Sequence, residues 1–177
     1  MQQQIGNLTF VPFIERARIQ ERVRDLAARI SRDYAGKDPL FLGLLNGAFM
    51  FLGDLAKEIT VPAHFSFVKY SSYAHTQSTG KVRELIGLGQ ELRGRHIVVV
   101  EDIVDTGLTM QHLLRDLAAF EPASVAVASL LLKPEALQCE LHIAYLGFEI
   151  PNAFVVGYGL DYNEYGRNLA DIYVLQE

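Results

Sequence analysis

Between Glu101 and Thr109 the sequence carries three carboxylates (Glu101, Asp102, Asp105), two threonines (Thr106, Thr109) and Gly107, directly after the apolar run Ile97–Val100. The run reads as a buried strand. The stretch beyond it, with Met110, Leu113, Leu114 and Leu117 on one face, reads as a helix. The turn between them therefore presents free backbone N–H groups, a helix dipole and two hydroxyls, which together suit a phosphate dianion. Glu101 and Asp102 would repel phosphate. As hard oxygen ligands they suit a polyol or a hydrated divalent cation. Phosphate at one end and a diol or Mg²⁺ at the other describe a ribose 5-phosphate that carries a further anionic group.

The elements that must position this turn follow from periodicity. Ile19, Val23, Leu26, Ala27, Ile30 and Tyr34 share one helical face between Ile14 and Tyr34, and Gly36 stands where a left-handed cap would sit. Leu40–Leu45 is a continuous apolar run, as expected of a strand covered on both sides; Asn46-Gly47 ends it, and Ala48–Ile59 reads as a second helix. A strand follows over Phe65–Tyr70, then a polar excursion over 71–81, and Val82–Ile86 is a returning strand. Val125–Leu132, Ala144–Phe148, Phe154–Tyr158 and Ile172–Leu175 complete the strands, and none is read before Ile14. Strands alternating with helices predict an α/β fold around a central, largely parallel sheet, with ligands beyond the carboxyl ends of its strands. The loops starting at Asn46, Glu101, Lys133 and Asp161 all leave predicted strand ends.

Composition narrows the class. The 177 residues are half hydrophobic and 21% charged, which excludes a disordered chain and fits a single domain over 1–177. A net charge of −5 argues against a nucleic-acid partner. No apolar run reaches the roughly 18 residues of a membrane span, so no membrane is expected either. The single cysteine, Cys139, and the absence of a signal-like start lead to the expectation of a cytoplasmic protein. The five histidines show no ligand spacing with Cys139, and neither a P-loop nor a nucleophile elbow is present.

Val98-Val-Val-Glu-Asp-Ile-Val-Asp-Thr-Gly-Leu-Thr109 resembles the phosphoribosyl-pyrophosphate signature of the type I phosphoribosyltransferases. Leu146-Gly-Phe-Glu-Ile-Pro-Asn-Ala-Phe-Val-Val-Gly-Tyr-Gly-Leu-Asp-Tyr-Asn-Glu-Tyr-Gly-Arg167 is similar to the carboxyl-terminal segment of the hypoxanthine-guanine branch. The resemblance implies the type I fold, with a small hood and a flexible lid loop at about 71–81. It also implies transfer of phosphoribose from phosphoribosyl pyrophosphate to a 6-oxopurine base, giving pyrophosphate and a purine nucleoside monophosphate in purine salvage.

The same resemblance assigns the residues. Glu101 and Asp102 lie beside the ribose hydroxyls and their magnesium, and Asp161 coordinates a second Mg²⁺. Asp105 lies near purine N7, where a proton leaves. Asp105, Thr106, Gly107, Leu108 and Thr109 wrap the 5′-phosphate. Lys133 reaches purine O6, Phe154 stacks on the base, the Val155 backbone reads its edge, and Arg167 holds pyrophosphate. Ser72 and Tyr73 belong to the lid that closes over the reaction centre, excluding water from a cationic sugar. Leu45-Asn46-Gly47 is the pyrophosphate turn, which in the family contains a non-proline cis peptide. Where relatives often carry a basic residue in that turn, this chain has Asn46, which predicts weaker pyrophosphate affinity. A homodimer or homotetramer is implied as well.

Two alternatives remain beside this reading. One is a phosphoribosyl-pyrophosphate-binding regulator of the same fold, which would need a DNA-binding extension or a basic RNA-binding face. The other is a phosphoribosyltransferase for a different nucleobase.

Overall fold

A computed structural model describes residues 2–69 and 92–176. Its elements run β1 (Gln3–Ile5), β2 (Leu8–Ile14), α1 (Arg16–Asp33), β3 (Leu40–Leu45), α2 (Phe49–Glu58), β4 (His64–Lys69), β5 (His96–Val104), α3 (Leu108–Ala118), β6 (Ser124–Leu132), a short 3₁₀ turn (Pro134–Ala136), β7 (Tyr145–Glu149), β8 (Val155–Val156) and β9 (Ile172–Leu175). The lid loop, with Ser72 and Tyr73, and the returning strand Val82–Ile86 lie outside the described residues.

Five strands form a parallel sheet in the order β4-β3-β5-β6-β7. The central strands are apolar on both faces because helices cover both. One core joins Ile19, Val23, Leu26 and Ile30 of α1 to Phe51, Leu52 and Leu55 of α2 over Phe41, Val98 and Val100. The opposite core sets Met110, Leu113 and Leu117 of α3 on Leu40, Leu42, Ile97, Val99 and Val127. The chain therefore leaves β3 toward one face through α2, and leaves β5 toward the other through α3. Between these neighbouring strands the loops diverge, which opens the crevice where open α/β sheets bind ligands.

The acidic pair is placed differently from the expectation. Glu101 does not begin a loop, because β5 continues to Val104, whose partner is Leu132. Backbone pairing is indifferent to side-chain charge, so the long apolar β6 carries the ladder past the carboxylates. The pairing skips Asp102, whose own carboxylate accepts the Ile103 N–H at 2.9 Å.

A second sheet, antiparallel in the order β1-β2-β9-β8, packs Ile5, Phe10, Val156 and Tyr173 into a small core of its own. Neither β1 nor β2 was expected. Pro12 interrupts β2, and the register shifts between Pro12 and Ile14, so the apolar alternation is broken there. The predicted strand Phe154–Tyr158 shrinks to Val155–Val156, because Gly157, Tyr158 and Gly159 all turn left-handed. Among the described residues no helix is long and apolar enough to cross a membrane.

Candidate active site

The turn expected to hold phosphate lies at the end of β5. Gly107, at φ +79°, is the N-cap of α3, a conformation strained for any residue with a side chain. A Cβ there would also sit 3.0 Å from both Leu137 Cδ2 and Cys139 Sγ, so the segment after the 3₁₀ turn supports the loop from below. The Gln138 N–H donates to the Thr106 carbonyl at 2.9 Å and strengthens that support. Glu101, Asp105, Thr106, Gly107 and Thr109 line one open cleft of about 170 Å³.

Neither Glu101, which lines this cleft, nor Asp102 beside it has a cationic partner among the described residues. Burial, and then the neighbouring Asp102 charge, push the Glu101 carboxyl well above the usual carboxylate range. Two crowded hard-oxygen donors without a counter-charge fit a divalent cation. Among the described residues no group of three or more acidic, His or Cys side chains converges as a metal cage. Magnesium nonetheless fits such a site, since it takes one or two carboxylates and completes its shell with water and substrate phosphate.

Asp161 does not join that pair. It follows the tight Gly157–Leu160 turn rather than a strand of the central sheet. Its Oδ1 pairs with Arg167 Nη2 at 2.7 Å, and its Oδ2 accepts the Glu164 N–H at 2.7 Å. Arg167 in turn donates from Nη1 to the Gly159 carbonyl at 2.7 Å. Two residues expected to serve different ligands thus pair with each other.

At the end of β3 the Leu45–Asn46 peptide is cis, as the resemblance implied. Asn46 is exposed and Gly47 buried. No Cβ fits at Gly47, because the Asp102 carboxylate occupies that space. Nor does one fit at Gly159, which abuts the Gly47 carbonyl. The turn after β3, the Asp102 carboxylate of β5 and the Gly159 turn therefore meet at Gly47. The Gly47 N–H has no partner among the described residues.

Lys133 leaves β6 with its side chain only 9% exposed, and its Nζ lies 2.8 Å from Asp105 Oδ2. A buried ammonium needs such a partner. Phe154 is 43% exposed, with its ring edge-on to Tyr162 and tilted against Phe10, so it is not ordinary core. Val155 pairs with Val174 on β8, at the edge of the small sheet. The Leu175 N–H already bonds the Phe154 carbonyl at 2.9 Å. By antiparallel alternation, the N–H and C=O of Val155 then point to the open edge.

Sequence reasoning missed Leu137, Gln138 and Cys139 beneath the phosphate turn, and Gly159 against Gly47. The Gly-Tyr-Gly spacing of 157–159 signals a tight turn, but nothing in the sequence reveals what that turn touches.

A sheet switch point that joins a phosphate turn, an acidic pair and a buried lysine defines a phosphoribosyltransferase, and the Phosphoribosyl transferase domain family matches residues 15–163. The hypoxanthine-guanine phosphoribosyltransferase of Mycobacterium tuberculosis is 46% identical over 161 residues, covering 87% of this chain and 80% of that protein. That of Streptococcus pneumoniae is 44% identical over 160 residues, covering 90% and 89%. A crystal structure of a Bacillus anthracis hypoxanthine-guanine phosphoribosyltransferase superposes with a TM-score of 0.85 at 36% identity, covering 94% of this chain and 97% of that one. The chain belongs to the hypoxanthine-guanine phosphoribosyltransferase family.

Proposed function

We propose that this chain transfers the phosphoribosyl group of phosphoribosyl pyrophosphate to hypoxanthine and guanine, releasing pyrophosphate and the nucleoside monophosphate. The observation that carries this reading is the Lys133–Asp105 pair beside the phosphate turn. A 6-oxopurine offers an acceptor at O6 next to a protonated N7, and the pair offers a donor next to an acceptor. Phe154 supplies an exposed ring for the base, and the outward backbone of Val155 supplies polar groups for its edge. The turn from Asp105 to Thr109 holds the 5′-phosphate through N–H groups and hydroxyls. The Asn46-Gly47 turn and Arg167 take the pyrophosphate, Arg167 through its planar donor fork once it turns from Asp161. The sugar becomes oxocarbenium-like as the bond to pyrophosphate breaks, so positioning and charge neutralisation carry the rate. Ser72 and Tyr73 belong to the same proposal as the water-excluding cover. The proposal also includes a homodimer or homotetramer in the cytoplasm.

Magnesium is part of the proposal, one ion held by Glu101 and Asp102 and a second by Asp161. When bound it neutralises pyrophosphate charge and orients the ribose hydroxyls. Excess chelator is expected to abolish turnover and added Mg²⁺ to restore it; full activity in chelator removes the metal from the reading. Nucleobase-dependent pyrophosphate release, measured with hypoxanthine, guanine, xanthine, adenine and a pyrimidine, tests the function itself. Release with none of them leaves the regulatory alternative, and release with adenine or the pyrimidine alone changes the substrate.

Asn46 carries a prediction of its own. Asn46→Lys adds an exposed cation beside the pyrophosphate turn, and an exposed charge contributes up to about 1 kcal/mol. The KM for phosphoribosyl pyrophosphate should fall severalfold at low ionic strength, with the gain shrinking as salt is added. A KM that does not change with this substitution places Asn46 away from the diphosphate.

A further inference from the structure

The turn that carries Gly159 is strained and firmly anchored, and its anchor lies outside the chemistry described above. Gly157, Tyr158 and Gly159 are consecutive left-handed residues with φ of +98°, +49° and +99°. The middle one bears a large aromatic side chain that is only 1% exposed. Its hydroxyl donates to Asp54 Oδ2 at 2.8 Å, and the same oxygen accepts Gln20 Nε2 at 2.6 Å. The other oxygen of Asp54 pairs with Lys57 Nζ at 2.8 Å. Burial raises the Asp54 pKa, but the hydrogen bonds from Lys57, Gln20 and Tyr158 outweigh it and hold the carboxyl below its ordinary value.

Asp54 sits on α2, which begins two residues beyond Gly47. Gly159 touches the Gly47 carbonyl, its N–H donates to the Arg167 carbonyl at 2.9 Å, and its own carbonyl accepts from the Arg167 guanidinium. The contacts close a ring: from Gly47 along α2 to Asp54, through the Tyr158 hydroxyl to Gly159, and back to Gly47. Arg167 hangs from that ring. Without the hydroxyl, the turn keeps its backbone bonds, the Tyr158 N–H to the Leu169 carbonyl at 2.8 Å among them, but loses its side-chain tie to α2, and the spacing between Gly47 and Arg167 loses a constraint.

We infer that Tyr158, held by Asp54, is a positioning residue for the diphosphate group: it fixes Gly159 against Gly47 and so sets the spacing between the Asn46-Gly47 turn and Arg167. This rests on the proposed reading that those two elements bind pyrophosphate.

Full-length unmodified protein, Tyr158→Phe, Asp54→Ala and the double variant should be compared in both reaction directions, with melting temperatures recorded. Tyr158→Phe keeps the buried ring and removes one hydrogen bond to a charged acceptor, a loss on the order of tenfold in an equilibrium. The KM for phosphoribosyl pyrophosphate, and for pyrophosphate in the reverse direction, should each rise about tenfold, while the KM for hypoxanthine stays within about twofold. The double variant should be no worse for pyrophosphate than Asp54→Ala alone, because both changes break the same link. If Tyr158→Phe does not fold, Asp54→Ala alone must show the same split. A lower melting temperature with unchanged diphosphate KM values, or an equal rise in all KM values, overturns the inference. An unmodified protein that releases no pyrophosphate with any base instead overturns the reading beneath it.

Discussion

Asp105→Asn is expected to lower kcat roughly 10²–10⁴-fold, the usual cost of losing a general base. The geometry makes the test clean. Asp105 is half exposed, and among the described residues only its Oδ2 is engaged, by the Lys133 ammonium at 2.8 Å. The other oxygen has no partner among the described residues and is the one expected to take the N7 proton as the N9 bond forms. An asparagine oxygen still accepts from Lys133, so the buried lysine keeps a partner and the site keeps its shape. Binding of both substrates should therefore persist while the chemical step slows. Single-turnover measurements check this, since slow product release can hide chemistry in the steady state. An unchanged single-turnover rate would make Asp105 an anchor for Lys133 and nothing more.

Lys133→Ala is expected to lower kcat/KM for hypoxanthine by about 30- to 1,000-fold, equivalent to about 2–4 kcal/mol for an unpaired polar group in a closed site. An ammonium has donors only, so it suits O6 and opposes the amino group of adenine. The unmodified protein should accordingly use hypoxanthine and guanine and reject adenine by a similar factor. Phosphoribosyl pyrophosphate binding should change little. Alanine removes the ammonium contact to Asp105 at the start of the turn before α3 but retains the backbone bond from its own N–H to the Val104 carbonyl, 3.0 Å in the unmodified protein, which keeps the turn tied to β6. Measuring kcat/KM for the three purines with both proteins decides the matter. Equal use of adenine, or no loss with hypoxanthine, removes Lys133 from the base site.

Both residues were legible in the sequence as candidates, but their pairing was not. Lys133 reads as a lysine after an apolar strand and Asp105 as one carboxylate of a turn, 28 positions earlier. Parallel pairing of β5 with β6, in the register that sets Val104 opposite Leu132, brings the two ends together. The same limit hid Asp161 and Arg167. Each was expected to meet its own ligand, and their 2.7 Å pairing emerges only when the turn between them folds back. The support under Gly107 was invisible for a related reason: Leu137 and Cys139 have no motif of their own and act only by filling space.

What the sequence determined by itself were the features set by local physics. Continuous apolar runs specified β3, most of β6 and the core of β5, because strands covered on both faces bury every side chain. The helical spacing of Ile19 to Ile30 specified α1, and the turn before α3 followed from Gly107 and the hydroxyl residues at a helix start. The tertiary structure alone decided the length of β5 past its charges, the small sheet that begins at Gln3, and the meeting of Gly47, Asp102 and Gly159. Each of these depends on a partner distant in the chain. Backbone pairing and close packing reward complementarity between surfaces, and no single stretch of sequence carries both of the surfaces that must fit.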